Sequence, residues 1–318
     1  MRLFIFNFKQ ESPVLGLLTL ALLTCELSLR TYGTRLSLDL QHIQEIPQIV
    51  NALKTSGHPA LLFLGNSLTR RAVIPEVLTK ELLAHGFSGI HIAKIHPDDT
   101  NIADWYYLYE KYLRSAAATP GDLLVGFAEE QLSDSQALHI DRLGGNFAGL
   151  GAIKEVFHND VRDFNTRMDY VLASVSFAYA NHDRIRTQLF GAIIPFYKTS
   201  AQVLNNAVAK QSKVSRGGLS QPYERLTRFL KLTEGNPMNV DFIAIPLPTF
   251  RSYPLDPSLQ SVLSAHGARL IDLRKIEDLT DDDYLDGYHL SPMGGAIFTR
   301  ELSRKLLESE EFRKSLRK

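Results

Sequence analysis

Ser67, Asp286 and His289 are the three side-chain types that nucleophilic serine chemistry uses. Ser67 follows the apolar run Leu61–Leu64 and a glycine, while Asp286 and His289 stand three residues apart near the end of the chain. An imidazole can take the proton of a hydroxyl, and a carboxylate can fix the tautomer of that imidazole and stabilise its charged form. The three residues therefore predict a nucleophile, a base and an orienting carboxylate.

The apolar run before Ser67 predicts a buried parallel strand, because it is continuous and does not alternate with polar residues. A helical pattern from Pro75 completes a strand, turn and helix unit. Ser67 would then lie at the carboxyl end of a strand, where open α/β sheets bind ligands and helix N–H groups can stabilise negative charge. Serine is also a common helix N-cap, so capping is the alternative interpretation of this residue.

Two segments resemble sequence blocks of the SGNH (GDSL-like) hydrolase and acyltransferase superfamily. Gly65-Asn66-Ser67-Leu68-Thr69 is similar to the first block, usually Gly-Asp-Ser-x-Ser/Thr, with an asparagine in place of the aspartate. Asp286-Gly287-Tyr288-His289, followed by Leu-Ser-Pro and two glycines, is similar to the last block. The resemblance extends from Ala60 to Leu307 apart from a long insertion. It implies that Ser67 is the nucleophile, His289 the base and Asp286 its orienter. We expect no metal and no cofactor, because nothing in the sequence supports one.

The middle blocks of that superfamily are changed in this chain. His96-Pro97-Asp98-Asp99 stands where a glycine should follow the second strand, and Gly126-Phe127-Ala128-Glu129 stands where Gly-x-Asn-Asp should follow the third. The expected oxyanion donors are therefore the backbone N–H of Ser67 and the side-chain amide of Gln131. These changes resemble membrane-anchored SGNH-like proteins that modify bacterial envelope polysaccharides.

The resemblance implies acyl transfer or ester hydrolysis through an acyl-enzyme, with O-acetyl groups of a cell-envelope polysaccharide as the expected target. The alternatives are a membrane-associated lipase or thioesterase, and a non-catalytic SGNH scaffold that binds glycans or assists assembly. The expected partners are an acylated glycan or lipid and the membrane. Basic and acidic residues number 35 each, so no bulk charge indicates a nucleic-acid partner. Nothing in the sequence indicates an oligomeric state.

The N-terminus has the layout of a signal anchor or signal peptide. Arg2 and Lys9 precede an apolar stretch from Pro13 to Cys25. The expectation is a single pass through the cell membrane, with the N-terminus in the cytoplasm and the catalytic domain outside. A secreted form after signal cleavage, a lipoprotein processed at Cys25, and a buried core helix are the alternatives. Cys25 is the single cysteine, which excludes an internal disulfide.

Strands that alternate with helices predict a three-layer, flavodoxin-like α/β fold, with a parallel sheet flanked by helices. The expected strands cover 61–64, 90–95, 122–127, 240–247 and 268–273. The expected organisation is an anchor at 1–30, a stem at 31–58 and an α/β domain at 59–318, with a helical insertion at 132–238. We expect the charged tail, Glu308 to Lys318, to be frayed.

Three further groups of residues have a chemical and a structural interpretation. The aromatic residues between 100 and 114 suggest a carbohydrate platform, but Trp105, Leu108, Tyr109 and Tyr112 have the helical spacing of a packed core, which we favour. The pairs His139 with Asp141 and His158 with Asp160 are metal-ligating types without the spacing of a helical zinc site. Asp281-Asp282-Asp283 suggests calcium, although a solvated loop fits better.

Overall fold

A computed structural model describes residues 8–114, 121–197, 200, 222–234 and 241–317, with side chains from Ser12 onward. Arg2 and the side chain of Lys9, which set the predicted membrane orientation, lie outside the described residues. Within the predicted insertion, 198–199, 201–221 and 235–238 lie outside them as well.

Helices and strands alternate from β1 to β3 and again from β4 onward, and helices alone fill the described parts between β3 and β4. The helices are Phe8–Tyr32 (α1), Leu38–Thr55 (α2), Ser67–Ala72 (α3), Pro75–Ala84 (α4), Ile102–Leu108 (α5), Ile140–Arg142 (α6), Ile153–Asn159 (α7), Phe164–Val175 (α8), Phe177–Ala180 (α9), His182–Ile193 (α10), Glu224–Glu234 (α11), Pro257–Ala265 (α12), Pro292–Glu308 (α13) and Glu310–Ser315 (α14). The strands are Ala60–Leu64 (β1), His91–Ile95 (β2), Gly121–Phe127 (β3), Asp241–Pro246 (β4) and Arg269–Leu270 (β5).

The described chain divides into two compact units. One unit comprises Met1–Gln41 and His139–Val214, and the other comprises His42–Leu138 and Ser215–Lys318. The second segment of the first unit overlaps the predicted insertion. The predicted division into anchor, stem and α/β domain stays a prediction.

The second unit contains a five-stranded parallel sheet in the order β2-β1-β3-β4-β5. Every residue of β1 is buried, which explains the unbroken apolar run of its sequence. The strands match their predicted positions except β5, which is shorter than the predicted 268–273 because only Arg269 and Leu270 pair with β4.

Helices cover both faces of this sheet. On one face, Phe63 and Ile243 join a buried cluster with Leu78 of α4 and Phe298 of α13. On the other face, Phe242 makes an edge-to-face ring contact with Phe229 of α11, at 5.5 Å between ring centroids. The predicted α/β fold, a parallel sheet between two helical layers, is therefore confirmed.

The charged C-terminal tail is ordered, which corrects the expectation that it frays. Ser309 caps α14, and the side chain of Phe312 is fully buried in the same cluster as Phe298. Leu316 is also buried there. Phe312 and Leu316 hold this charged segment against the domain, because burying one aromatic side chain contributes ~2 kcal/mol to stability.

The first unit consists of helices in its described part. Within the stretch Ser12–Leu36, which includes most of α1, the most apolar window of 18 residues has a mean hydropathy of 1.7, and none of that window is buried. It is long and apolar enough to cross a membrane. This apolar N-terminal helix is compatible with a membrane anchor or a signal sequence, and its exposure argues against the core-helix alternative.

Candidate active site

The turn between β1 and α3 holds Ser67 at the carboxyl edge of the sheet. Gly65 is required there, because a Cβ atom on it would lie 2.0 Å from Oγ1 of Thr69. That threonine hydroxyl donates to the carbonyl oxygen of Gly126 on β3, at 3.2 Å. The close approach of β1, α3 and β3 therefore depends on two glycines and one short hydroxyl side chain.

Asn66, not Ser67, is the N-cap of α3. Its Oδ1 accepts a hydrogen bond from the backbone N–H of Leu68 at 3.0 Å, and its Nδ2 donates to the carbonyl oxygen of Thr100 at 3.0 Å. The capping interpretation of Ser67 is therefore wrong. The amide also explains why asparagine replaces aspartate here, since a carboxylate has no N–H to donate to Thr100.

Asp286 and His289 lie in a short hairpin between α12 and α13. Tyr284 and Leu290 form an antiparallel bridge, and the backbone N–H of Leu285 donates to the carbonyl oxygen of His289 at 2.8 Å. Oδ1 of Asp286 accepts from the backbone N–H groups of Tyr288 and His289, each at 2.8 Å. The three-residue spacing thus lets one carboxylate oxygen close the loop while the other faces the imidazole.

Helix α13 brings the hairpin against α3. Ser291 caps α13 by accepting from the N–H of Gly294, and a Cβ atom on Gly295 would lie 2.4 Å from the carbonyl oxygen of Arg71. The hydroxyl of Thr299 donates to the carbonyl oxygen of Ala72 at 2.9 Å and lies 3.0 Å from the backbone nitrogen of Ile74, which donates to it. Gly295 therefore allows the close contact between α13 and α3 that places the hairpin next to Ser67.

Ser67, His289 and Asp286 form a continuous hydrogen-bonded chain. Nε2 of His289 lies 2.9 Å from Oγ of Ser67, and Nδ1 lies 2.8 Å from Oδ2 of Asp286. The side chain of His289 is 30% exposed and that of Asp286 51% exposed, so solvent reaches the site. The structure thus brings Ser67 together with two residues that lie more than two hundred positions further along the chain.

The carboxyl of Asp286 is held in its ionised form. Burial raises its pKa, but hydrogen bonds from the backbone and imidazole of His289 and from the backbone of Tyr288 outweigh this and lower the pKa below its ordinary value of 3.8. A carboxylate that is ionised at neutral pH can hold the proton of the imidazole on Nδ1. Nε2 is then free to accept the proton of the Ser67 hydroxyl.

The predicted oxyanion donors differ in what surrounds them. Ser67 is the first residue of α3, where backbone N–H groups have no carbonyl partner within the helix. Oε1 of Gln131 accepts the backbone N–H of Ala128 at 2.9 Å, which fixes the orientation of the amide in the turn after β3. Leu64 pairs with Val125, so Ser67 and Ala128 follow their strands at the same level of the sheet edge. The oxyanion role of both donors stays a prediction.

A cluster of basic side chains lies beside this edge, and the sequence analysis missed it. Nζ of Lys94 on β2 donates to the carbonyl oxygens of Arg70 and Val73 at the end of α3, at 3.2 and 2.7 Å. Arg70 pairs with Asp98 at 3.1 Å and lies 3.1 Å from the ring of His42. The available signal was that Lys94 and Asp98 lie at the end of β2, the strand next to β1, or shortly after it.

Burial in this cluster lowers the pKa of two of its members, Lys94 and His96. Burial lowers the pKa of Lys94 to about 8, with Arg70 adding to the effect and Glu76 opposing it. Burial lowers the pKa of His96, and electrostatic interactions with Lys94, His42 and Arg70 lower it further, to about 3. His96 is therefore a neutral imidazole at neutral pH.

The other candidate groups have structural roles. Trp105 and Tyr109 are fully buried, and Nε1 of Trp105 donates to the hydroxyl of Thr100 at 2.9 Å, so the aromatic segment packs in the core. The acidic run is a 3₁₀ turn that Thr280 caps, with Oδ2 of Asp283 as the acceptor.

The pairs His139 with Asp141 and His158 with Asp160 do not belong to any metal-ligating cluster among the described residues. No group of three or more His, Cys, Asp or Glu side chains there is arranged to hold a metal ion.

Comparison with known proteins adds one structural likeness. No protein-family model matches the chain, and no curated protein sequence matches it. Among solved structures, the chain is similar to a lipase/acylhydrolase from Enterococcus faecalis, with 13% identity and a TM-score of 0.34 over 78% of this chain and 96% of that one. The fold assignment rests on the strand order and the two helical layers described above.

Proposed function

We propose that the chain is a serine-dependent acyl-transfer enzyme of the SGNH type, with Ser67 as nucleophile. The observation that carries the proposal is the unbroken hydrogen-bonded chain from Oγ of Ser67 through the imidazole of His289 to Asp286. In such a chain, Nε2 takes the hydroxyl proton as Oγ attacks the carbonyl carbon of an ester. The imidazolium then protonates the departing alcohol, which leaves an acyl-enzyme.

The second half of the reaction reverses these proton transfers. His289 deprotonates water or the hydroxyl of an acceptor, which attacks the acyl carbon, and Oγ of Ser67 recovers its proton as the ester breaks. The N–H at the first position of α3 and the amide of Gln131 are the proposed donors to the oxyanion. Loss of one such donor typically lowers the rate by about 10² to 10³-fold.

The proposed substrate is an O-acylated polysaccharide of the cell envelope, with transfer or removal of acetyl-sized groups. Two observations support it. The apolar, exposed helix α1 fits a membrane anchor, which would keep the enzyme where envelope glycans lie. The exposed hairpin places His289 and Asp286 at the protein surface, where a large polymer can reach them.

The proposal is tested with the full-length chain purified in detergent and treated with a fluorophosphonate probe. Wild type is expected to label, and Ser67→Ala and His289→Ala are expected to lose the label. Ser264→Ala, at an exposed serine of α12, is the matched control and should label as wild type does. A folded wild-type chain that does not label would contradict the enzymatic function and favour the non-catalytic scaffold.

The substrate class needs a second measurement. Incubation with an acetyl ester and an oligosaccharide acceptor should give acetylated oligosaccharide by mass spectrometry if the chain is a transferase. Release of acetate alone indicates an esterase. Turnover of long-chain phospholipid or thioester substrates, with neither of the other two, would contradict the polysaccharide assignment and favour the lipase or thioesterase.

A further inference from the structure

Helix α8 carries an exposed apolar stripe along its full length. Phe164, Met168, Leu172 and Val175 follow one another at intervals of four, four and three residues, so they share one face of the helix. Their exposed fractions are 74, 43, 39 and 49%. The opposite face, with Tyr170 and Ala173, is buried. Helix α8 thus has two apolar faces, of which the first unit covers one.

The end of α10 continues this apolar character in the same unit. Leu189, Phe190 and Ile193 are exposed, and so are Ile194 and Phe196 after the helix. Phe196 is 83% exposed and has a backbone φ of +61°. A bulky residue rarely adopts that conformation, so the chain presents this ring outward at a conformational cost. Exposed apolar side chains that cluster in this way, in contrast to single ones, mark sites of protein or membrane contact.

The chain also fixes α8 next to the end of the apolar helix α1. The carboxylate of Glu26 accepts from the backbone N–H groups of Phe177 and Ala178, at 2.6 and 3.1 Å, and from the hydroxyl of Ser176 at 3.0 Å. The guanidinium of Arg30 donates to the carbonyl oxygen of Val175 at 2.7 Å. These contacts tie the junction of α8 and α9 to the first polar residues after the apolar run of α1.

This attachment determines which partner the surface meets. If α1 spans a bilayer, Glu26 and Arg30 lie at its boundary with water, because charged side chains are costly at the bilayer centre. Val175, one end of the α8 stripe, is then at the level of the lipid headgroups. Interfacial helices at that level bury an apolar face at the boundary of headgroups and acyl chains.

We propose that the exposed apolar residues of α8 and of the segment from Leu189 to Phe196 form a membrane-binding surface. This surface lies in the interface of the bilayer that α1 spans, and its ligand is lipid. The first unit is thereby attached to the membrane at two places. One is α1, and the other is this surface in the segment His139–Val214. The inference rests on α1 as anchor and is independent of the chemistry of Ser67.

The test uses the full chain with Cys25→Ser, so that a single introduced cysteine can carry an environment-sensitive fluorophore. The positions are Met168 and Ile193 on the proposed surface, and Lys154, an exposed residue of α7, as the control. The protein is reconstituted in vesicles of phosphatidylethanolamine and phosphatidylglycerol, with or without brominated acyl chains. We expect blue-shifted emission and bromine quenching at 168 and 193, and neither at 154.

Three results would overturn the proposal. Equal responses at 168, 193 and 154 would show that the surface does not contact lipid. Blue-shifted emission at 168 and 193 without bromine quenching would show contact with a second copy of the chain. A further probe at Leu18 in α1 that bromine does not quench would show that α1 is not the anchor. None of these outcomes changes fluorophosphonate labelling of Ser67, so they are separable from a failure of the proposed function.

Discussion

The side-chain amide of Asn66 donates to the carbonyl oxygen of Thr100 at 3.0 Å, while its oxygen caps the helix that begins with Ser67. This one residue therefore fastens the loop after β2 to the proposed nucleophile. Both partners are buried, so the bond is shielded from water.

Asn66→Asp should destabilise the protein even though aspartate also caps helices well. The carboxylate keeps the bond to Leu68 but faces the carbonyl oxygen of Thr100 with no hydrogen to share. We expect a loss of about 1–3 kcal/mol in the free energy of unfolding, measured by urea titration. Asn51→Asp, at an exposed position of α2, should change the free energy little. Equal stability of Asn66→Asp and wild type would contradict this account of the turn.

Asp286→Asn should lower the rate of fluorophosphonate labelling by about 10² to 10⁴-fold and leave the fold intact. The asparagine cannot stabilise the imidazolium that forms when His289 takes the proton of Ser67. The pKa of Asp286 lies below its ordinary value of 3.8, so this carboxyl stabilises the folded chain above that pH and loses the effect as pH falls further.

At neutral pH Asp286→Asn should lose this contribution, and its unfolding midpoint should fall only slightly, because the side chain is half exposed. Asp278→Asn, in the loop before the acidic turn, serves as control and should label normally. A labelling rate for Asp286→Asn that matches wild type would exclude the orienting role.

Local patterns in the sequence predicted the parts of the fold that depend on local burial. The continuous apolar runs marked β1, β3 and β4, and the helical pattern from Pro75 marked the start of α4 as found. The expectation that Ser67 and Asp286 lie close to His289 came from the resemblance of two short segments to sequence blocks of one superfamily. Their catalytic roles stay predictions.

The remaining features depend on contacts between distant segments, which no local periodicity encodes. Whether Asn66 or Ser67 caps α3 is decided by the carbonyl of Thr100, more than thirty residues away. The docking of the tail depends on the pocket that receives Phe312, and the cluster around Lys94 depends on the pairing of β2 with β1. The partners of such side chains cannot be predicted from the local sequence, because they come from segments that meet only in the folded chain.

Lys94→Met should change how stability depends on pH. The pKa of Lys94 is about 8 in the folded chain and 10.5 ordinarily, so between these values the unfolded chain binds more protons. Stability should therefore rise with pH in that window, by on the order of 1–2 kcal/mol after allowance for partial exposure. The methionine variant should lose the rise.

The measurement is the free energy of unfolding at three pH values, roughly 7.5, 8.5 and 9.5, which begin below the folded-state pKa of this lysine and stay below its ordinary pKa. Lys80→Met, at an exposed lysine of α4, is the control and should keep the rise. A rise of the same size in Lys94→Met would assign it to other groups and contradict the burial of this ammonium.

The two glycines near the proposed site make a matched pair for the contact between α13 and α3. A Cβ atom on Gly295 would lie 2.4 Å from the carbonyl oxygen of Arg71, which is backbone and cannot rotate away. Gly287, inside the hairpin that carries His289, has no atom within 4 Å of a built Cβ, and its φ is not in the left-handed region. Gly295→Ala should therefore separate α13 from α3, while Gly287→Ala should be tolerated.

The expected cost of Gly295→Ala is about 1–3 kcal/mol in unfolding free energy, as for overpacked cores. Fluorophosphonate labelling should fall at the same time, because the hairpin moves with α13 and Nε2 of His289 leaves hydrogen-bond distance of Ser67. Gly287→Ala should label at the wild-type rate and unfold at the wild-type midpoint. If Gly295→Ala kept full labelling despite lower stability, the position of His289 would not depend on this helix contact. Equal losses in both variants would instead point to flexibility of the hairpin itself, because of these two glycines only Gly295 is crowded.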